Sequence, residues 1–141
     1  KPAWREEFAD AAIACGGIPF TYIHPTVIIS DRFKYSPGLF IAPYSTVSCD
    51  VHVAKFVHMN VRTSIGHDCA VGDFSILLGG NLVNGNVLIG RLVTIGSGAV
   101  IRPGKKIFDD ATVGIGSVVV RNVKSAVTVF GVPAKVISQK L

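Results

Sequence analysis

An aliphatic side chain recurs at every sixth position between residues 23 and 119. Sixteen of these seventeen positions are Ile, Val, Leu or Met, and Tyr35 is the exception. The positions are Ile23, Ile29, Tyr35, Ile41, Val47, Val53, Met59, Ile65, Val71, Leu77, Val83, Ile89, Ile95, Ile101, Ile107, Val113 and Val119. Neither a helix, with its period of about 3.6, nor a strand, with its period of about 2, gives this spacing. The period therefore predicts a solenoid, in which each unit buries its apolar face against the next.

The other positions of the six-residue unit support this prediction. Gly or Ala often follows the aliphatic residue, as in Gly66, Gly72 and Gly90, and glycine suits tight corners. Small or β-branched residues stand two positions before the next aliphatic residue. They include Val51, Val57, Thr63, Cys69, Ser75, Val87, Val93, Ala99, Ala111, Ser117 and Val123. We expect short flat strands between corners, with this second set, Cys69 included, facing inward.

The ends of the chain depart from the period. Residues 2–15 predict one amphipathic helix, because apolar residues recur at helical spacing and Gly16 and Gly17 follow. A helix of this length that exposes Trp4 and Phe8 needs a partner surface. A β-prone stretch at 18–23 leads into the solenoid, and the period fails after Val119. We therefore divide the chain into 1–22, a solenoid domain at 23–124, and a tail at 125–141.

Composition narrows the function classes. The 141 residues suffice for one domain, and the net charge of +5 includes no basic run longer than Lys105-Lys106, so a nucleic-acid groove is not expected. The excess charge suits either a polyanionic small molecule or an ordinary solvated surface. Three cysteines without a CxxC pair, and no secretory pattern, indicate the cytoplasm. No apolar run approaches the ~18 residues of a membrane span.

His67 is the histidine with chemistry beside it. Asp68 follows it at a predicted corner, and a carboxylate that orients an imidazole is typical of a general base. The six-residue period resembles that of the hexapeptide-repeat β-helices, in which three units make one coil. The resemblance implies that residues eighteen apart stack in neighbouring coils, about 4.8 Å apart, which would place Gly85 above His67. A glycine there offers a backbone N–H as an oxyanion donor, or it only turns a corner. His24 precedes a proline and suits a structural role, and His52 and His58 stand six apart on successive faces.

Several motifs together carry a resemblance to a known family. They are Asn60, His67-Asp68-Cys69, Gly72-Asp73-Phe74, Gly80, Gly85-Asn86-Val87, Ile89-Gly90 and Gly131-Val132-Pro133-Ala134-Lys135. The sequence resembles the bacterial hexapeptide-repeat sugar acetyltransferases, in the branch of sialic-acid O-acetyltransferases and nucleotide-4-amino-sugar N-acetyltransferases. The similarity runs from about Trp4 to the end. The segment 1–22 resembles the last helix and strand of the family's upstream Rossmann-like, sugar-binding domain.

The resemblance implies a fold, an activity and an assembly. The fold would be all-β, a left-handed parallel β-helix of five to six coils, with the left hand taken from the family. The family forms homotrimers that bind acetyl-CoA in the cleft between neighbouring β-helices. The acceptor would be a nucleotide-linked amino sugar, with N-acetylation favoured and O-acetylation of a sugar or sialic acid the alternative. No metal is expected.

The resemblance also implies roles for named residues. His67 would be the general base and Asp68 would orient it. Asn60 of the neighbouring subunit would contact the acceptor or the acetyl group. Gly85 and Asn86 would contact acetyl-CoA, with the N–H of Gly85 on the thioester oxygen. The run from Gly131 through Val132, Pro133 and Ala134 to Lys135 would lie near the nucleotide end of CoA, so the tail would complete the cofactor site.

The sequence departs from the family at one position, and two other classes of protein share the same repeats. Many relatives carry a histidine where this chain has Ile76, so acceptor contacts there differ. A zinc enzyme of the γ-carbonic anhydrase class uses the same solenoid, but its His-x4-His pair is missing from the spacing of His52, His58 and His67. A non-catalytic trimerisation or scaffold module would show the same repeats. The combination of His67-Asp68, Gly85 and the C-terminal motif favours the acetyltransferase.

Overall fold

The computed structural model describes residues 2–139, so the first residue of segment 1–22 and the last two of segment 125–141 lie outside the described residues. One helix precedes nineteen strands within this range. The elements are α1 (Pro2–Ala14), β1 (Tyr22–Ile23), β2 (Ile28–Ile29), β3 (Lys34–Tyr35), β4 (Phe40–Ile41), β5 (Thr46–Val47), β6 (His52–Val53), β7 (His58–Met59), β8 (Ser64–Ile65), β9 (Ala70–Val71), β10 (Ile76–Leu77), β11 (Leu82–Val83), β12 (Leu88–Ile89), β13 (Thr94–Ile95), β14 (Val100–Ile101), β15 (Lys106–Ile107), β16 (Thr112–Val113), β17 (Val118–Val119), β18 (Val127–Phe130) and β19 (Lys135–Gln139).

Every third strand pairs in parallel, and this pairing forms three sheets. Sheet A contains β1, β4, β7, β10, β13, β16, β18 and β19. Sheet B contains β2, β5, β8, β11, β14 and β17, and sheet C contains β3, β6, β9, β12 and β15. The register joins residues eighteen apart, as in Ile65 with Val83 and Ala70 with Leu88. The predicted solenoid is therefore confirmed, with about six coils whose three sides are sheets A, B and C.

The two inward positions of each unit fill the interior. The aliphatic positions from Ile41 to Val119 are buried, and so is the second predicted set, with Cys69 2% exposed. Polar members of that set bond to the backbone: the hydroxyl of Ser75 donates to the Gly90 carbonyl at 2.7 Å, and that of Thr63 to the Asn60 carbonyl at 2.8 Å. No buried side-chain nitrogen or oxygen in the described chain lacks a partner. Hydrogen bonding explains how a solenoid core tolerates these hydroxyls.

The corners take their names from the sheets they join: A–B, B–C and C–A. The corners up to residue 116 are two-residue turns, and a left-handed φ commonly falls on the second residue. At the B–C corners Asp68 has φ 56° and Asn86 has φ 59°. Asn and Asp enter this region more readily than most residues. At these corners, unlike in the flat strands, neighbouring side chains therefore need not point to opposite faces.

The sheet continues past the point where the period fails. Strand β18 pairs in parallel with β16, joining Thr112 to Thr128, and β19 returns antiparallel to β18. The step from β16 to β18 is thus sixteen residues instead of eighteen, so β18 does not follow the six-residue period. Val123 still bridges Ile107. The structure therefore places two further strands of sheet A within the segment that the sequence predicts as a tail.

Helix α1 agrees with the predicted helix to within one residue and lies along the C–A corner. The Arg5 guanidinium donates to the carbonyls of Phe56, at 2.7 Å, and Phe74, at 3.3 Å. Glu6 pairs with Arg91 one coil higher. None of the helix residues is buried, and Phe8 is 74% exposed. The helix is thus held mainly by polar contacts, and the β-prone stretch before the solenoid forms only the short strand β1.

Candidate active site

The B–C corners stack into a continuous column that contains His67. Steps of eighteen residues place Cys49 below His67, and Gly85, Pro103 and Arg121 above it. The stacking is direct, because the N–H of Asn86 donates to the His67 carbonyl at 2.8 Å and that of Asp68 to the Cys49 carbonyl at 3.1 Å. We call this set of residues the B–C column. It brings together the sequence-predicted residues His67, Asp68, Gly85 and Asn86.

His67 and Asp68 form the expected pair. Nδ1 of the imidazole lies 2.7 Å from Oδ2 of the carboxylate, and both side chains are about half exposed. Neighbouring side chains on a flat strand point to opposite faces, but the left-handed φ of Asp68 turns its carboxylate toward the preceding ring. The carboxylate accepts from Nδ1–H, so the neutral ring carries its lone pair on Nε2. That nitrogen is the one available to take a proton.

The ring of His67 is packed against Gly85. A Cβ on Gly85 would lie 2.5 Å from Nε2 and 2.6 Å from Cε1 of the imidazole. The φ of Gly85 lies outside the left-handed region, which at this corner belongs to Asn86. Glycine is thus required here for the space that the ring takes, and the turn itself does not demand it. The role of the Gly85 N–H as an oxyanion donor stays a prediction, since Gly85 is buried in the single chain.

Asn60 lies apart from this column. It follows β7 at an A–B corner, and its Oδ1 accepts from the N–H of Val61 at 2.8 Å. Strand β8 of sheet B separates the two corners, so one chain does not bring Asn60 to His67. Ile76 lies on the outer face of sheet A, paired with His58 below and Thr94 above. Asn60 and Ile76 therefore belong to a different side of the prism from His67.

The C-terminal motif packs on the last coil. Gly131 donates to the Ser117 hydroxyl at 3.1 Å and accepts from the N–H of Val118 at 3.0 Å, while the N–H of Ala134 donates to the Val118 carbonyl at 2.8 Å. The peptide between Val132 and Pro133 is cis, and Val132 is 73% exposed. The motif thus forms the turn between β18 and β19 at the upper end of sheet B.

The motif and the B–C column meet at a cavity of about 290 Å³. Its lining includes Arg121, Lys124, Ala134 and Lys135. Arg121 is three coils above His67, or about 14 Å at three strand spacings. Arg121 and Lys124 are not among the residues that the sequence predicts for the site. Counting upward from His67 in steps of eighteen would have found the first of them.

Positive charge is concentrated in the upper coils of the solenoid. Six cations lie in the upper part of the chain, between residues 102 and 135, against two acidic residues. The cations are Arg102, Lys105, Lys106, Arg121, Lys124 and Lys135. They are scattered in sequence, but all of them follow β14 and so belong to the upper coils. We call them the upper cations, and their position above His67 suits a ligand with several negative charges.

Two further groups have shifted pKa values. Burial raises the pKa of the Cys69 thiol, whose sulfur contacts the Asn84 carbonyl at 3.1 Å inside the solenoid. This agrees with Cys69 as core filler. Burial, and then the positive charge of Arg5, lowers the pKa of His58. His58 is therefore a neutral imidazole at pH 7, and its ring lies tilted against that of Phe40 with a centroid separation of 4.5 Å.

The remaining histidines are dispersed. His52 lies on sheet C, His58 on sheet A and His67 at the B–C corner, while Nδ1 of His24 contacts the Thr26 hydroxyl at 2.9 Å. Residues 2–139 contain no group of three or more His, Cys, Asp or Glu side chains that could hold a metal. In that same range, no helix is long and apolar enough to cross a membrane.

Comparison with known proteins identifies the relatives of this chain. No protein-family model matches it. GDP-perosamine N-acetyltransferase of Escherichia coli O157:H7 is 34% identical over 100 residues, which cover 71% of this chain and 45% of the relative. The chain thus spans less than half the length of that protein.

Solved structures agree with the sequence relative. A mutant perosamine N-acetyltransferase from Caulobacter crescentus, in complex with CoA and GDP-perosamine, superposes with a TM-score of 0.93 at 26% identity, covering 98% of this chain and 66% of that one. The acetyltransferase domain of PglB from Neisseria gonorrhoeae FA1090, in complex with acetyl coenzyme A, superposes with a TM-score of 0.91 at 27% identity, covering 96% and 66%.

Proposed function

Because this chain belongs to the hexapeptide-repeat acetyltransferase family, we propose that it transfers the acetyl group of acetyl-CoA to a nucleotide-linked amino sugar. The observation that carries the proposal is the His67 imidazole, oriented by Asp68 and packed against Gly85. N-acetylation is favoured, since GDP-perosamine N-acetyltransferase is 34% identical to this chain and a perosamine N-acetyltransferase superposes on it with a TM-score of 0.93. A sugar hydroxyl is the alternative acceptor, and the same base would serve it.

His67 acts as the general base in this reaction. Its Nε2 removes a proton from the acceptor amine as the nitrogen attacks the thioester carbonyl carbon. The N–C bond forms, the C–S bond breaks, and His67 returns the proton to the departing CoA thiolate. Asp68 holds the imidazolium between these two transfers. The Gly85 N–H stabilises the oxyanion of the tetrahedral intermediate, and direct transfer needs no covalent enzyme intermediate.

The donor occupies the B–C column above His67 in this proposal. The pantetheine arm runs up the corners past Gly85 and Asn86, and the phosphates lie among the upper cations. The cavity shared by Arg121, Lys124 and the Gly131–Lys135 turn supports this direction, because it joins the column to a region rich in positive charge. Charge-assisted hydrogen bonds to phosphate are among the stronger polar contacts that proteins make.

A homotrimer completes the site. Asn60 lies at the A–B corner, so it reaches His67 only from a second copy of the chain. Sheet B separates the two corners, and its outer face carries Ile28, Thr46, Ser64, Leu82, Val100 and Val118. An uncharged face of this kind suits contact between subunits. In the trimer, Asn60 of one subunit contacts the acceptor beside His67 of the next.

Substitution of His67 tests the chemistry. We expect His67→Ala to keep the trimer and acetyl-CoA affinity, measured by calorimetry, while turnover with GDP-perosamine falls about 10²–10⁴-fold. Release of CoA, followed with a thiol reagent, measures turnover. Undiminished turnover in a folded His67→Ala trimer would exclude the proposed base. Failure of the wild-type trimer to bind acetyl-CoA would favour the scaffold module instead.

A further inference from the structure

The outer face of sheet C has a gap beside the active corner. One column of outward side chains runs up this face, paired in register through five strands. Its members are Lys34, His52, Ala70, Leu88 and Lys106. Four of these side chains are large, and Ala70 in the middle is small. The short side chain therefore leaves a notch between His52 and Leu88.

This notch opens into a cavity of about 440 Å³ that extends downward across sheet C. Its lining includes Lys34, Tyr35, Ser36, His52 and Ala70. The small residues Ala54 and Gly72 line its floor beside Ala70, and the rim carries an ammonium group, an imidazole and two hydroxyls. We call this cavity the sheet C groove. An apolar floor with a polar rim suits a sugar ring, which offers C–H groups on its face and hydroxyls at its edge.

The groove lies on the acceptor side of His67. Ala70 follows His67 by three residues, so their Cα atoms are at most about 11 Å apart. The upper cations lie above this level, and the groove extends to Lys34, two coils or about 10 Å below Ala70. A donor that fills the column above His67 therefore leaves the groove open to the second substrate.

We propose that the sheet C groove binds the sugar ring of the acceptor, with Lys34 on a negatively charged substituent of that sugar. The inference rests on the proposed function and names the substrate contacts. His52 and Ser36 contact ring hydroxyls, and the reactive amine points up past Ala70 toward His67. The anionic substituent is either the diphosphate of a nucleotide sugar or the carboxylate of a sialic acid. Both place a negative charge near Lys34.

Charge removal at two equivalent positions tests the assignment. Lys34 and Lys106 belong to one outward column, and each lies two coils from Ala70, in opposite directions. We expect Lys34→Gln to raise the KM for GDP-perosamine about tenfold or more and to leave that for acetyl-CoA unchanged. Lys106→Gln should raise the KM for acetyl-CoA and leave that for GDP-perosamine unchanged. Equal effects of the two variants on both substrates would overturn the proposal.

Filling the notch gives a second, independent variant. Ala70→Leu places a side chain like its neighbour Leu88 at an outward strand position, so the fold and acetyl-CoA affinity are expected to persist. We expect binding of GDP-perosamine, measured by calorimetry, to weaken at least tenfold. Unchanged affinity in folded Ala70→Leu would refute the groove.

The calorimetric readout separates this proposal from the proposed function. Sugar binding does not require turnover, so a wild-type trimer that binds GDP-perosamine without acetylating it still reports on the groove. Parallel titrations with GDP-perosamine and N-acetylneuraminate distinguish the diphosphate from the carboxylate. The sugar that binds should lose affinity in Lys34→Gln. Binding of neither sugar by the wild-type trimer would overturn the groove as an acceptor site.

Discussion

Gly85→Ala provides a direct test of the active corner. The added Cβ would lie 2.5 Å from Nε2 of His67, against about 3.4 Å for an ordinary contact, so the ring must move by roughly 0.9 Å. Alanine is compatible with the backbone, because the φ of Gly85 lies outside the left-handed region. The perturbation therefore acts on the imidazole and leaves the corner itself intact.

The expected magnitudes differ for stability and for catalysis. His67 is 55% exposed, so its ring can turn into solvent and lose mainly the Asp68 contact, which costs about 1 kcal/mol or less. A misplacement near 1 Å can reduce turnover about 10²-fold, equivalent to about 2.7 kcal/mol in the activation barrier. We therefore expect kcat/KM to fall far more than the free energy of unfolding. Steady-state CoA release and urea unfolding measure the two quantities.

The double variant supplies the control. In a His67→Ala background the ring is gone, so the new Cβ has no clash to relieve. Gly85→Ala should then leave stability and the residual rate unchanged. Full activity of the single Gly85→Ala variant would mean that the observed ring position is not the one used in catalysis. An equal loss in both backgrounds would place the effect in the backbone instead.

Three further predictions concern groups outside the reaction. The pKa of His58 is lower in the folded protein than in the unfolded chain, so on acidification the unfolded chain binds the proton at a higher pH. The free energy of unfolding therefore falls as the pH drops below about 6.5. The urea midpoints measured at pH 7.5 and at pH 5.5 should differ less in His58→Gln than in the wild-type protein. Arg5→Met leaves two corner carbonyls without their donor and should lower the free energy of unfolding by about 1–3 kcal/mol, read from urea curves. An unchanged midpoint would contradict that role. Mass spectrometry after alkylation should find Cys69 unmodified in the folded protein, because its thiol is buried and its pKa raised; rapid labelling would contradict its burial.

The interior of this fold could be read from the sequence because burial enforces the period. Each inward side chain must meet its neighbours in the coils above and below, so positions such as Ile65 and Cys69 follow a strict spacing. The same spacing placed Gly85 on His67. The outward positions face solvent and obey no such rule, so the notch at Ala70 and the upper cations other than Arg121 produced no pattern to find. Strand β18 was missed because its coil is two residues short.

Backbone conformation also limited the sequence analysis at the active corner. Adjacent side chains such as His67 and Asp68 diverge on a strand, and only the left-handed φ of Asp68 brings the carboxylate to Nδ1. The attachment of α1 depends on single long-range contacts, in which Arg5 and Glu6 meet atoms 51 to 85 residues away. Contacts of this kind leave no periodic trace in a sequence.

The proposed sites arrange two anionic substrates along one axis. Arg121 lies three coils above the level of His67, and Lys34 lies two coils below, so the two charged ends are separated by about 24 Å. This exceeds the Debye length of about 8 Å at physiological ionic strength, so the bound anions barely repel each other. The uncharged parts of the two substrates, the thioester of acetyl-CoA and the amine of the acceptor, then meet at the level of Nε2 of His67. The chemistry therefore takes place where neither substrate brings a charge.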